Sequence, residues 1–119
     1  MNTEKFTLRG HFNLRHFDPR GNLLDEITIN NTITDMGKDE VAGLINGTRA
    51  GAFTRLAIGT SGTAASSANT GLLVELAGGM ARASATCTQV TTDVANDTAQ
   101  LVHTFSATAS YTVKEAGIF

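Results

Sequence analysis

A single cysteine among 119 residues removes two possibilities at once. No disulfide framework can staple the chain, and no cysteine cluster can hold a metal. Cys87 lies between Thr86 and Thr88 in an alternating stretch, which reads as a small buried filler and not as a nucleophile. Tryptophan is absent, and proline and tyrosine occur once each. No run approaches the ~20 apolar residues of a membrane-spanning helix. The opening MNTEKFTLRGHF has no apolar run after its charges, so it does not read as a secretory signal. Nine basic and eleven acidic residues give a net charge of −2, which leaves no electrostatic footprint for a nucleic-acid binder.

Charge is also scarce in one half. Residues 1–60 carry seven basic and seven acidic side chains, whereas residues 61–119 carry only Arg82, Lys114, Glu75, Asp93, Asp97 and Glu115. The second half is built of Ala, Thr, Ser and Gly. Such a neutral surface suits burial against another subunit, or else this half forms the core; composition leaves both open.

What is present is a mainly β pattern. Phe6, Leu8, Phe12 and Leu14 alternate with polar residues, as in a strand with one buried face. Asp18-Pro19-Arg20-Gly21-Asn22 predicts a turn, and Leu23, Ile27 and Ile29 predict the return strand. Thr34 or Asp35 can cap a helix over 35–46, stopped by Asn46-Gly47. Phe53, Leu56 and Ile58 mark a short strand, followed by an uncharged loop from Gly59 to Asn69. A second short helix is expected over 70–77, capped by Asn69 or Thr70 and stopped by Gly78-Gly79. Period two returns from Met80 to Thr88, with Ala81, Ala83, Ala85 and Cys87 on one face. A turn at 93–97, a strand through Leu101, His103 and Phe105, and a last short strand at Tyr111 and Val113 complete the pattern. The expectation is an antiparallel β-sandwich or barrel-like sheet with two short helices, in a single domain over 1–119 open to completion by strand exchange with a neighbouring subunit.

Chemistry is sought first in the Gly59 loop. Gly59-Thr60-Ser61-Gly62-Thr63 has the glycines and hydroxyls of a phosphate cradle. It lacks the lysine such a cradle needs, and no Lys or Arg occurs between Arg55 and Arg82. A phosphate-ligand-binding domain using this loop is therefore the weaker alternative. His11, His16 and His103 have no ligand spacing; the first two are five apart on a strand and fall on opposite faces. Asp25-Glu26 and Asp39-Glu40 are adjacent and splay apart, so neither makes an acid–base pair. Arg9, Arg15 and Arg20 with Phe12 and Phe17 could stack single-stranded nucleic acid, but Glu4, Asp18, Asp25 and Glu26 cancel their field. No catalytic residue, metal ligand or cofactor site is assigned.

Taken in order, several pieces resemble a group of small virion structural proteins of tailed bacteriophages. These are the D-x-x-G turn (Asp18 to Gly21), the T-x-x-G-K helix start (Thr34, Gly37, Lys38), and the IGT-x-GT-A loop (Ile58 to Ala64). The Thr70 to Glu75 segment, Arg82 and the E-A-G-I-F ending (Glu115 to Phe119) complete them. The resemblance spans most of the chain, and its strongest pair is the IGT loop with EAGIF. It implies a non-enzymatic capsid decoration (cement) protein on the outer head shell, or a tail or baseplate protein of the same virion. It further implies a homo-oligomer, such as a trimer, made in the host cytoplasm. The partner would be the major capsid protein or another virion protein, with no direct nucleic-acid or membrane contact. Members of the group continue past this ending with further strands. Independently of the resemblance, two large apolar residues at a chain end are unusual in water, so Ile118 and Phe119 are expected to dock into this domain or a neighbour, or to lie inside a longer chain. Interface candidates are Gly59, Thr60, Ser61, Gly62, Thr63 and Ala64 of the loop, with Ile118 and Phe119.

Overall fold

The computed structural model describes residues 7–119. Its elements run β1 (His11–Phe17), β2 (Leu23–Asn30), α1 (Asp35–Asn46), β3 (Arg55–Gly59), β4 (Ala83–Ser84), β5 (Thr86–Val90), β6 (Thr98–Val102) and β7 (Glu115–Ile118). They make three small antiparallel sheets: a β1–β2 ribbon, a three-stranded sheet in the order β4–β3–β7, and a β5–β6 ribbon. The mainly β, antiparallel expectation holds. Among the described residues there is one α-helix, and no barrel closes.

The β1–β2 ribbon follows its alternation. Phe12 opposes Ile29 and Leu14 opposes Ile27, so one face is apolar. Asn13 opposes Thr28 and Arg15 opposes Glu26 on the other face, joined by a hydrogen bond from Asn13 Nδ2 to Thr28 Oγ1 at 2.9 Å and an Arg15–Glu26 ion pair at 3.3 Å. Between the strands, the Asp18 carboxylate accepts from the amides of Arg20 and Asn22, both at 2.9 Å. Gly21 takes the left-handed conformation (φ 86°) that closes the turn. The proposed strand start at Phe6 lies outside the described residues.

Helix α1 has the expected bounds. Thr34 Oγ1 accepts from the Gly37 amide at 3.0 Å, and Gly47 ends the helix in the left-handed region (φ 79°). The Asp35 amide donates to the Ser67 carbonyl at 2.8 Å, which ties the helix start to the loop after β3. Gly43, costly to helix propensity, is buried because the Arg49 side chain lies where a Cβ would be; Arg49 in turn pairs with Asp39 at 2.7 Å.

The core sits around β3. Ala57 and Ile58 are buried there, with Leu76 and Met80 beside Ile58, and Phe105, Val113 and Ala116 pack against this cluster. β7 pairs with β3 from Leu56↔Ile118 to Gly59↔Glu115.

Five sequence expectations are corrected. Residues 70–77 do not form a helix. The amides and carbonyls a helix would need are engaged elsewhere: Thr60 N donates to Val74 O, Leu76 N to Ile58 O, and the Leu73 and Val74 amides to Glu115. The Asn69 side chain accepts from Ser66 N at 2.7 Å, back into the loop, so it is not a helix cap; a short 3-10 turn follows at Gly78–Met80. The last strand is Glu115–Ile118, not Tyr111 and Val113, because β3 ends at Gly59 and offers nothing further to pair. The stretch from Met80 to Thr88 is two strands, broken where the Ala85 amide donates to Thr54 O. Cys87 is exposed on β5 instead of filling a core, since the β5–β6 ribbon has little packed over that face. β6 likewise ends at Val102, before His103 and Phe105, whose rings meet edge to face at 4.6 Å.

Candidate functional site

The densest constellation is built on Glu115, at the point where β7 meets the end of β3. Gly59 and Glu115 face each other across the two strands. Beyond Gly59 the chain turns away, and the segment around Glu75 returns alongside it through an antiparallel bridge between Gly59 and Glu75. The Glu115 side chain reaches across this junction. Its Oε2 accepts from the Ser61 amide at 3.0 Å and the Val74 amide at 2.8 Å; its Oε1 accepts from the Leu73 amide at 2.8 Å. One carboxylate thus joins three segments: β7, the Gly59 loop and the 72–76 return.

Its electrostatics follow. Desolvation raises the carboxyl pKa, and the Ser61, Val74 and Leu73 amides together outweigh it, so the group is held below its ordinary range. The anion is therefore the state this site accommodates at neutral pH. Gly59 is required for the approach: a Cβ there would meet the Val74 carbonyl, and Cγ of Glu115 at 2.7 Å. Of the Gly59 loop's amides only Ser61 N donates to this carboxylate; the other two donors, Leu73 and Val74, come from the return segment, and Thr60 N is engaged by the Val74 carbonyl.

A second chain of contacts closes the same sheet at its other end. The amides of Thr54 and Arg55 both donate to the Phe119 carbonyl at 2.9 Å, and the Phe119 amide donates to Arg55 O at 2.9 Å. The Arg82 guanidinium lies 3.4 Å from the centre of the Phe119 ring and pairs with Glu75 at 2.8 Å. Asp97 forms a third amide nest, in the β5–β6 turn. It accepts from Val94 at 2.9 Å, Thr92 at 2.8 Å and Asp93 at 3.0 Å, and these bonds hold its pKa far below the carboxylate range.

Of the sequence-derived interface residues, Gly59 is buried, Thr60 and Ser61 are half-buried, and Gly62, Thr63 and Ala64 are exposed. Ile118 and Phe119 are half-buried in this chain's own sheet. The structure joins Gly59 and Ser61 through Glu115 and leaves the 62–64 tip apart. In the sequence Glu115 stands out only as the first residue of the E-A-G-I-F ending and not as a site residue. Its signal was scarcity: in a half with six charged residues, Glu75, Arg82, Asp97 and Glu115 all have built partners. His11 and His16 lie on opposite ribbon faces, as their spacing requires. Among the described residues no group of three His, Cys, Asp or Glu is placed to hold a metal ion. Open grooves among the described residues include one of about 440 Å³ between Leu8, Ile33 and the Val41–Ile45 face of α1, and one of about 350 Å³ between Phe53 and the Cys87–Leu101 face of β5–β6.

No family model, curated protein or solved structure matches this chain.

Proposed function

We propose that this chain is a non-enzymatic structural protein of a tailed-bacteriophage virion, a capsid decoration protein that binds the outer head shell as an oligomer. The observation that carries the reading is the Glu115 junction. The two segments on which the resemblance rests most, Ile58–Ala64 and Glu115–Phe119, pair strand to strand and share one carboxylate. They are thus one mechanical unit, which is what a scaffold needs if it is to present loops to a shell. The exposed Gly62–Ala64 tip is small and uncharged, and it can lie flat on a partner. In the assembled state the small sheets complete a β-sandwich with a neighbouring subunit.

Mixing the purified protein with undecorated heads of its own phage tests this. Saturable binding at symmetry-related shell sites is the expected result. No binding to heads would overturn the head assignment, and labelled protein found at the tail or baseplate would move it there. A rise in melting temperature with millimolar ATP or phosphate would instead favour ligand binding by the Gly59 loop.

A further inference from the structure

The β1–β2 ribbon presents a paired apolar face that no other element of the described residues covers. Phe12 and Leu14 are half-buried, while Ile27 and Ile29 remain 53% and 39% exposed. At the turn end, Phe17, Leu23 and Leu24 are also exposed. The opposite face is polar and internally bonded through Asn13, Thr28, Arg15 and Glu26. A ribbon with this alternation specifies which side belongs in a core. No other element of the described residues packs extensively on either side. An isolated two-stranded hairpin is marginally stable at best in water.

The surface area indicates how much cover is missing. The chain exposes 8976 Å². A compact monomer of 12.5 kDa exposes roughly 6,200 Å². Allowing the first six residues the exposure of an unfolded chain, roughly 1,100 Å², still leaves an excess of about 1,700 Å². A standard interface covers ~800 Å² per partner, and obligate interfaces run larger and more apolar. The radius of gyration of 15.8 Å likewise exceeds the roughly 13.5 Å of a compact domain of this length.

We infer that the β1–β2 ribbon is a self-association surface, on which the Phe12, Leu14, Ile27 and Ile29 face packs against the same face of a second copy. Face-to-face packing of two ribbons makes a four-stranded, two-layer core from one repeated element. A second copy is the fitting occupant because the centre of the face, Phe12, Leu14, Ile27 and Ile29, is apolar and uncharged and meets itself without setting like charges together. At the edge of the face His16 Nδ1 lies 3.5 Å from Asp25. The missing area is also of the size a stable dimer contact buries. This deepens the proposed assembly role and rests on it only for the expectation of an oligomer; shell binding is read separately.

The test uses the full chain in sedimentation equilibrium, beside Ile27→Lys on the apolar face and Thr28→Lys on the polar face. The wild type should associate, Ile27→Lys should weaken association by roughly 30-fold or more, and Thr28→Lys should leave it within a few fold. A circular dichroism spectrum with the α1 signal retained shows that the variant still folds. Isotope-filtered NOEs in a mixed labelled and unlabelled wild-type sample need no variant at all. Intermolecular contacts among Phe12, Leu14, Ile27 and Ile29 are expected. A wild type monomeric at ~100 µM, equal loss in both variants, or intermolecular contacts confined to other residues would overturn the inference. A monomer whose ribbon is covered only on capsids would assign the face to the shell and overturn it equally. Capsid binding retained by a monomeric wild type would leave the decoration reading standing alone.

Discussion

Glu115 shows how one side chain can decide the course of three segments. Each amide it serves would otherwise need another partner, and the charge strengthens all three bonds. Glu115→Gln keeps the shape but sets an NH2 group against amide donors that need an acceptor. The expected loss is about 1–3 kcal/mol at pH 7, read by urea denaturation. The pH dependence has a definite sign. The folded carboxyl pKa is depressed, so its contribution is complete above the unfolded value of about 4.3 and is lost as pH falls through the lower folded value. The gap between wild type and Glu115→Gln should therefore narrow from pH 5 towards pH 3; a constant gap would show that the charge plays no part. Gly59 supplies the steric half of the same device. Gly59→Ala should cost about 1–3 kcal/mol, because the atoms it meets include the Val74 backbone carbonyl. Gly62→Ala, whose Cβ would meet only the flexible end of Lys114, Cδ at 3.4 Å and Nζ at 3.9 Å, should be close to neutral. Equal effects of the two would mean that the junction is looser than its geometry.

Strand β7 is held along its length by β3 and at its end by Phe119. Removing Ile118 and Phe119 takes away three backbone hydrogen bonds and the ring beneath Arg82. At about 1 kcal/mol for each bond and up to ~1 for the cation–π contact, the loss is about 3 kcal/mol or more. That corresponds to a melting temperature lower by roughly 10 °C. An unchanged melting point would show that the segment is dispensable to this sheet. The contrast between β7 and α1 explains what the sequence could reveal. Helix α1 and the Asp18 turn were legible because their signals are local: Thr34 bonds three residues ahead, Gly47 needs only its own φ, and Asp18 reaches no farther than Asn22. The 70–77 segment carries an equally good local helix pattern, yet Glu115 claims its amides from about forty residues away. A window of neighbouring residues does not contain that competitor. The same is true of β7, in which only Ala116 and Ile118 alternate, and whose pairing is decided by β3. The candidate site was half legible. The loop and the ending were both marked as segments, but the bond between them depends on the register of two strands far apart in the chain.

Stability is unevenly distributed along the 56 Å length of the molecule. The sheet around β3 owns the buried apolar side chains and the Glu115 junction, whereas the described β1–β2 ribbon has its own cross-strand pairs and turn. Native-state hydrogen exchange should separate these two regions. The amides of Ala57 and Ile58 should open only with global unfolding, at a free energy independent of protein concentration below the association threshold. The amides of β1 and β2 that bond across the ribbon should exchange far faster in dilute protein, through local opening. If a second copy covers the apolar face, association stabilises the closed ribbon by mass action, so its protection must grow with concentration. The expected record is therefore a set of β1–β2 amides whose protection rises together as the protein is concentrated, beside β3 amides that stay on their own plateau until the associated state dominates. Ribbon amides as protected as Ile58 at micromolar concentration would show that the ribbon is stable by itself, and the uncovered face would then have no energetic need of a partner.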